Sequence, residues 1–351
     1  MVSDNCLRSD ALGDLISIIV PTKYRPTHLN RTLAYYRKFD VPIFIADAAN
    51  DPKLNIVTSE RIRYLHLPNL DFSEQVLLGL ELVQTPFAVL CADDDFATLG
   101  GVSSCVDFLM KSQDYDSCQG RYLIFEVIKG EVFACSYYDY SSSIDINSDN
   151  VRERLMSGVK PYMQLLYAVH RTSTLKACFT SMRKHKNNLM EVGQTLISLM
   201  HGKSKVLDVF YGVREIIPGS WGQTTLNLSE VKKRNQDEYR NWLRSLSAHL
   251  KNITHIEDAE CDSILESALA DYFYFEGSFR TWSRRQKLNL KNSFPKPMID
   301  FYIRTIRPMR TRAKYQAMQR MHNIQNVIRT PEARQEWEKI LDDVKKFYEL
   351  S

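Results

Sequence analysis

The chain has 351 residues, of which 44% are apolar and 25% charged, with a net charge of +4; this is enough for a sizeable core in one large domain or two ordinary ones, with no need of disulfide or metal staples. Seven cysteines, widely spaced and without a C-x-x-C pair, exclude a zinc ribbon and a secreted disulfide framework and point to a reducing compartment. The first residues have neither the basic start nor the apolar stretch of a signal peptide, and no apolar run approaches the ~20 residues of a membrane span, so the expectation is a soluble, cytoplasmic protein, at most peripheral to a membrane.

The first hundred residues alternate between two periods. "ISIIV" (16–20) is a β-branched run that reads as a buried strand closed by Pro21. "THLNRTLAYYRKF" (27–39) puts Leu29, Leu33 and Tyr36 on one helical stripe, with Thr27 as the expected cap. "PIFIAD" (42–47) and "IRYLHL" (62–67) are the next strands. "SEQVLLGLELVQ" (73–84) is a helix with Ser73 as N-cap, "PFAVLCAD" (86–93) a fourth strand, and "LGGVSSCVDFLMK" (99–111) a further helix. This alternation predicts an α/β fold with a mostly parallel sheet and helices on both faces, whose ligands sit beyond the carboxyl ends of the strands.

From 121 the pattern changes. Two β-rich arms around Lys129-Gly130 signal a hairpin, and "SSSIDINSDN" (141–150) reads as a polar loop. "YMQLLYAVHR" (162–171) fits a strand or a short helix equally. "MEVGQTLISLMHG" (190–202) is helical with Gly202 as C-cap, and "KVLDVFYGVRE" (205–215) is a strand leading into a Gly-rich loop. After about 226 the strand signals stop, and three amphipathic stretches predict a helical C-terminal region. The expected division is 1–225 and 226–351.

Asp93, Asp94 and Asp95 follow the fourth strand directly. Three adjacent carboxylates repel one another, and a hard divalent cation such as Mn²⁺ or Mg²⁺, shared with a diphosphate, would relieve that repulsion. Acidic triplets also occur on solvated loops, and spacing alone leaves both readings open.

The ordered set "SIIVPTKYRP", "FIADAANDP", "NLDFSEQ" and "VLCADDDF", followed by "NNLMEVGQTLISLMHGKSKVLDVFYGVREIIPGSWG", resembles glycosyltransferases of the GT-A fold, family 2 type, over about residues 15–225. The resemblance matches the family's P-T-x-x-R opening, its Asp after the second strand, its D-x-D after the fourth, and its later acid and arginine. Two departures stand out: Asp47-Ala48-Ala49 replaces the usual Asp-Gly-Ser, and Glu191-Val192 the usual Glu-Asp.

The resemblance implies roles. Asp95 would hold the cation, with Asp93 on the cation or the ribose and Asp94 beside them. Pro21, Thr22 and Arg25 would frame the nucleotide, and Asp47 would accept a hydrogen bond from a uracil-like base. Arg214 would meet the diphosphate, and Trp221, in a loop made mobile by Gly219 and Gly222, would stack on sugar or base. Glu191 would be the general base that takes a proton from the acceptor hydroxyl. Each has a structural alternative: a solvated Arg25, a first-turn helix charge at Glu191, an Arg214–Glu215 salt bridge, and Trp221 as a loop anchor.

The activity implied is transfer from a nucleotide sugar, with UDP-sugars favoured, to a hydroxyl on a glycan or lipid-linked acceptor, as in surface polysaccharide synthesis. A nucleotidyltransferase would need a Gly-rich basic loop after "SIIV", which is missing, and a non-catalytic glycan- or nucleotide-binding scaffold remains the non-enzyme alternative. Serine-hydrolase and Walker motifs are absent. Between Arg280 and Arg320 there are twelve Lys or Arg against one acid, Asp300, with interleaved apolar residues. That stretch fits an anionic membrane surface or polyanionic acceptor, or a solvated helix face; no nucleic-acid motif accompanies it.

Overall fold

The protein is described from a computed structural model, which describes residues 12–51, 59–136, 144–160, 162–217, 228–274, 313 and 323–349, residues 187 and 188 by their backbone alone. The chain opens with β1 (Ile16–Thr22), α1 (Pro26–Tyr36), β2 (Ile43–Asp47), β3 (Ile62–His66), α2 (Phe72–Glu81), β4 (Phe87–Leu90), β5 (Phe96–Ala97) and α3 (Leu99–Lys111). It continues with β6 (Tyr115–Ile128), β7 (Glu131–Ser136), β8 (Asp145–Ile146), α4 (Val151–Val159), β9 (Val169–Arg171), α5 (Thr172–Met182), α6 (Asn187–His201) and β10 (Lys203–Glu215). Then come α7 (Leu228–Arg234), α8 (Gln236–Thr254), a helix α9 over 258–274, and α10 (Pro331–Glu349).

Among the described residues the strands form one sheet in the order β3-β2-β1-β4-β9-β6-β10-β5. Pairing is parallel from β3 through β4. Beyond that, the short β9 runs antiparallel between β4 and β6, while β6 and β10 are parallel to each other. Successive residues face opposite sides of a strand, and both sides are covered. Ile19, Ala88 and Leu90 pack with α2, α5, α6, α8 and α9. Ile16, Ile18, Val20 and Val89 pack with α1, α3 and α10. The helices after residue 228 thus contribute to both cores, Trp242 and Leu246 to one, Trp337 and Ile340 to the other.

Several elements begin elsewhere than the pattern predicts. Helix α1 starts at Pro26, a residue suited to a first turn, with Arg25 as its N-cap and no side-chain cap. Thr27 is therefore inside the helix. Ser73 likewise lies inside α2, whose N-cap is Asp71. The hairpin forms as expected, Ile128 opposite Glu131, with Lys129 (φ 52°) and Gly130 (φ 78°) both in the left-handed region that a two-residue turn demands. The ambiguous 162–171 stretch is mostly irregular and ends in β9. Helices α4 and α5 have no counterpart among the expected elements, although Asn150 caps α4 through Arg152 N at 2.9 Å, and Leu175, Cys178, Phe179 and Met182 keep helical spacing.

Candidate functional site

Three strand ends deliver the site. β1 ends in Thr22, β4 runs into Asp93–Asp95, and β10 ends in Arg214 and Glu215. Thr22 Oγ1 donates to Asp93 Oδ2 at 2.6 Å. Arg25 spans two carboxylates, Nη1 to Asp93 Oδ1 at 2.8 Å and Nη2 to Asp94 Oδ2 at 2.6 Å. As N-cap of α1, Arg25 offers the helix nothing; its side chain serves the acids instead. The two backbone carbonyls behind them are held as well, Asp93 O by Thr32 Oγ1 and Asp94 O by Arg31 Nη2, each at 2.7 Å.

Asp95 is fixed from the other side. Its Oδ1 accepts the backbone N–H of Glu215 at 2.9 Å, and its Oδ2 stands 3.4 Å from Arg214 Nε. Arg214 in turn donates to Gln164 Oε1 at 2.7 Å and lies over the Tyr167 ring, 4.8 Å from its centre. Glu215 does not pair with Arg214. It pairs with Arg31, Nη1 to Oε2 at 2.7 Å, where both side chains are almost fully buried.

Asp93, Asp94 and Asp95 are all buried. Burial, opposed by Arg25 and reinforced by the charge of Asp94, pushes Asp93 up to about 6. Burial and the charge of Asp94, opposed by Arg214, push Asp95 up to about 7. Burial alone would lower Arg25, yet the neighbouring Asp93 and Asp94 raise it. Among the described residues, Asp93, Asp94, Asp95 and Glu215 share this site with Arg25, Arg31 and Arg214. Carboxylate oxygens clustered at a strand end are the donor type that a hard divalent cation prefers. Among the described residues no three His, Cys, Asp or Glu side chains converge as a self-sufficient metal cage. A cation here would need oxygens from a ligand as well.

Asp47 is buried at the end of β2, its Oδ1 bonded by Ala49 N–H and its Oδ2 by Tyr64 Oη, each at 2.8 Å. Each oxygen keeps a second lone pair. Gln75, buried on α2, donates its amide to both Thr22 O and Ala46 O, clamping the ends of β1 and β2 together. Pro21 sits within β1, opposite Ala46.

Glu191 lies in the second turn of α6, since the helix begins at Asn187. The first-turn reading therefore falls, and Asn187 and Asn188 belong to the helix, with Lys186 as N-cap. The Tyr167 phenol, raised chiefly by its burial, is within Coulombic range of Arg214, Asp95, Asp94 and Glu191 together. Trp221, Gly219 and Gly222 fall outside the described residues, as does the basic stretch from 280 to 312 and from 314 to 320.

Sequence reasoning missed Arg31, Thr32, Tyr64, Gln75, Gln164, Tyr167 and Glu215. Thr32 carried a readable signal, a polar residue on the apolar stripe of Leu29, Leu33 and Tyr36 in α1. Gln75, beside Val76 on the inner side of α2, carried a similar one. His170 is fully buried with Nε2 2.8 Å from Leu165 O. His185 meets Ser245 Oγ at 2.9 Å.

No family model matches the sequence, and no curated protein does. Solved structures do match. The crystal structure of S. aureus TarS 1–349 is 14% identical, with 95% of this chain and 90% of that chain covered, at a TM-score of 0.50. The same fragment in complex with UDP-GlcNAc gives 14%, the same coverage and a TM-score of 0.49. The shared feature is the fold. It is the α/β fold of TarS 1–349, one large sheet with helices on both faces. Among the described residues no helix is long and apolar enough to cross a membrane.

Proposed function

We propose that this protein is an enzyme that transfers a sugar from a nucleotide-sugar donor, a UDP-sugar first, to a hydroxyl of a glycan or lipid-linked acceptor. The observation that carries this reading is the convergence of Thr22, Arg25, Asp93–Asp95 and Arg214 at the carboxyl ends of β1, β4 and β10, the place where open α/β sheets bind ligands. The fold shared with TarS 1–349 is consistent with it.

In this reading Asp95, assisted by Asp93, would hold Mn²⁺ or Mg²⁺. The cation supplies charge neutralisation for the leaving nucleoside diphosphate. Asp47 accepts from the base, with Pro21 and Thr22 lining the nucleotide. Arg214 stays oriented by Gln164 and Tyr167 when its long contact to Asp95 is given up, and its forked donors then face phosphate oxygen. Arg25 has the same option from the other side. Glu191 takes the acceptor proton as the acceptor oxygen forms its bond to the anomeric carbon and the bond to the diphosphate breaks, which inverts that centre. Trp221 would stack on the sugar or base. Residues 1–225 form the catalytic unit, and the described helices α7 to α10 of the 226–351 region buttress it. The basic stretch between Arg280 and Arg320 draws the enzyme to an anionic membrane surface or acceptor at the cytoplasmic face.

The test is donor turnover over a panel of nucleotide sugars, UDP-GlcNAc included, with Mn²⁺ and with chelator, the anomer followed by NMR. Cation-dependent release of nucleoside diphosphate from one donor, with inversion when acceptor is present, is the expected result. No turnover of any donor would overturn the enzyme reading, and a retained anomer would remove Glu191 from the role of base.

A further inference from the structure

The carboxylate that would take the cation is anchored through residues far along the chain. Glu215, whose backbone N–H holds Asp95 Oδ1 at 2.9 Å, has a buried side chain with two partners. Arg31 faces Oε2 at 2.7 Å, and Tyr348, in the last turn of α10, donates its hydroxyl to Oε1. Arg31 also reaches forward, Nη2 to Asp94 O at 2.7 Å. Its guanidinium lies between the rings of Phe96 and Phe347, 5.0 and 4.9 Å from their centres.

The Arg31–Glu215 contact is an ion pair without hydrogen-bond geometry, for Arg31 Nη1 and Nε and Glu215 Oε2 have no such partner. A buried carboxylate is held only as well as the donors it has, so the Tyr348 hydroxyl is the directional bond that fixes Glu215. Helix α10 is itself docked at its other end, where Glu336 accepts from Tyr35 Oη at 2.9 Å and Leu99 N at 2.6 Å. Its apolar face, Trp337, Ile340 and Val344, is in the core. The hydroxyl therefore arrives on a rigid element.

We propose that Tyr348 is a positioning residue for the donor site, acting through Glu215 to fix Asp95. The part that concerns donor affinity rests on the proposed function; the coupling itself does not. Partners that orient a metal ligand typically contribute about 10- to 100-fold to metal affinity.

The experiment compares Tyr348→Phe with Asp343→Ala, a change on the same helix that removes the exposed contact of Asp343 to Lys38 near the end of α1. Two quantities are read in the full-length chain: hydrogen exchange at the amides of Asp95 and Glu215, and the Kd for UDP in Mn²⁺. Tyr348→Phe should raise exchange at those two amides about 10-fold or more and weaken UDP by about 10-fold, with the β1 amides near parental values. Asp343→Ala should change neither. Unchanged exchange in Tyr348→Phe, or the same change in both variants, overturns the proposal. If the parent binds no UDP, the donor reading fails, and the exchange comparison still decides the coupling.

Discussion

Two buried polar regions in this molecule solve the same problem in opposite ways. Around His170 the groups are neutral. Its Nε2 meets Leu165 O, its Nδ1 faces Ser198 Oγ at 3.3 Å, and Ser117 and Ser204 share a hydrogen bond at 2.8 Å nearby. Burial pushes the imidazole down to about 4, so it stays uncharged. At the strand ends, by contrast, Asp93, Asp94, Asp95 and Glu215 are buried as acids against Arg25, Arg31 and Arg214. Neutral pairing is the less costly way to bury polarity. A region that instead concentrates buried acids and guanidiniums is shaped for something other than stability.

Breaking each region separately sharpens this contrast. The largest effect is expected from Arg31→Met, which strands Glu215 in the core and should cost about 3–5 kcal/mol in urea unfolding. Adding Glu215→Leu should recover most of that loss, because the stranded charge goes too. The neutral region should respond less, with His170→Gln costing about 1–3 kcal/mol. If the single Arg31 variant is no worse than the His170 variant, the two regions do not differ as claimed.

Next in size is Glu191→Gln. It should leave donor affinity intact and slow transfer by about 100-fold, equivalent to about 2.7 kcal/mol of barrier. Single-turnover rates with UDP binding measured in parallel would check this.

The pH dependence should separate the regions by sign. His170 has a folded value of about 4 against 6.5 ordinarily, so the unfolded chain binds its proton first and stability falls as pH drops through that window. Asp95 has a folded value of about 7 against 3.8, so the folded chain holds its proton longer and stability falls as pH rises through that window. His170→Gln should flatten the acid limb in urea melts between pH 6.5 and 4. Asp95→Asn should gain stability relative to parent as pH rises from 4 to 7. Parallel slopes for both variants would contradict the assignment.

The smallest effect is expected from Asp343→Ala, whose partner Lys38 is half exposed; a surface pair of this kind contributes about 1 kcal/mol or less.

Most of the fold was legible because the hydrophobic periods of β1, α1, β2, α2 and β4 are clean, and the acids of the site sit immediately after those runs. What was hidden is what depends on long-range contact. Arg31 in α1 gives no hint that its partner is Glu215, because a buried ion pair is fixed by tertiary approach rather than by local pattern. Nothing in "KKFYEL" says that Tyr348 reaches the end of β10. The start of α6 at Asn187 was obscured because "NN" reads as a cap, whereas Lys186 takes that position without a side-chain bond. The short β9 was masked by "YMQLLYAVHR", in which apolar residues serve an irregular segment and three strand residues alike.

The central claim is that the buried acids await a cation shared with a nucleotide diphosphate. Calorimetry with UDP tests it most directly, in Mn²⁺, in Mg²⁺ and in chelator, on the parent and on Asp95→Ala. The account predicts binding only where a divalent cation and Asp95 are both present. Full-strength UDP binding in chelator, or in Asp95→Ala with Mn²⁺, would contradict it.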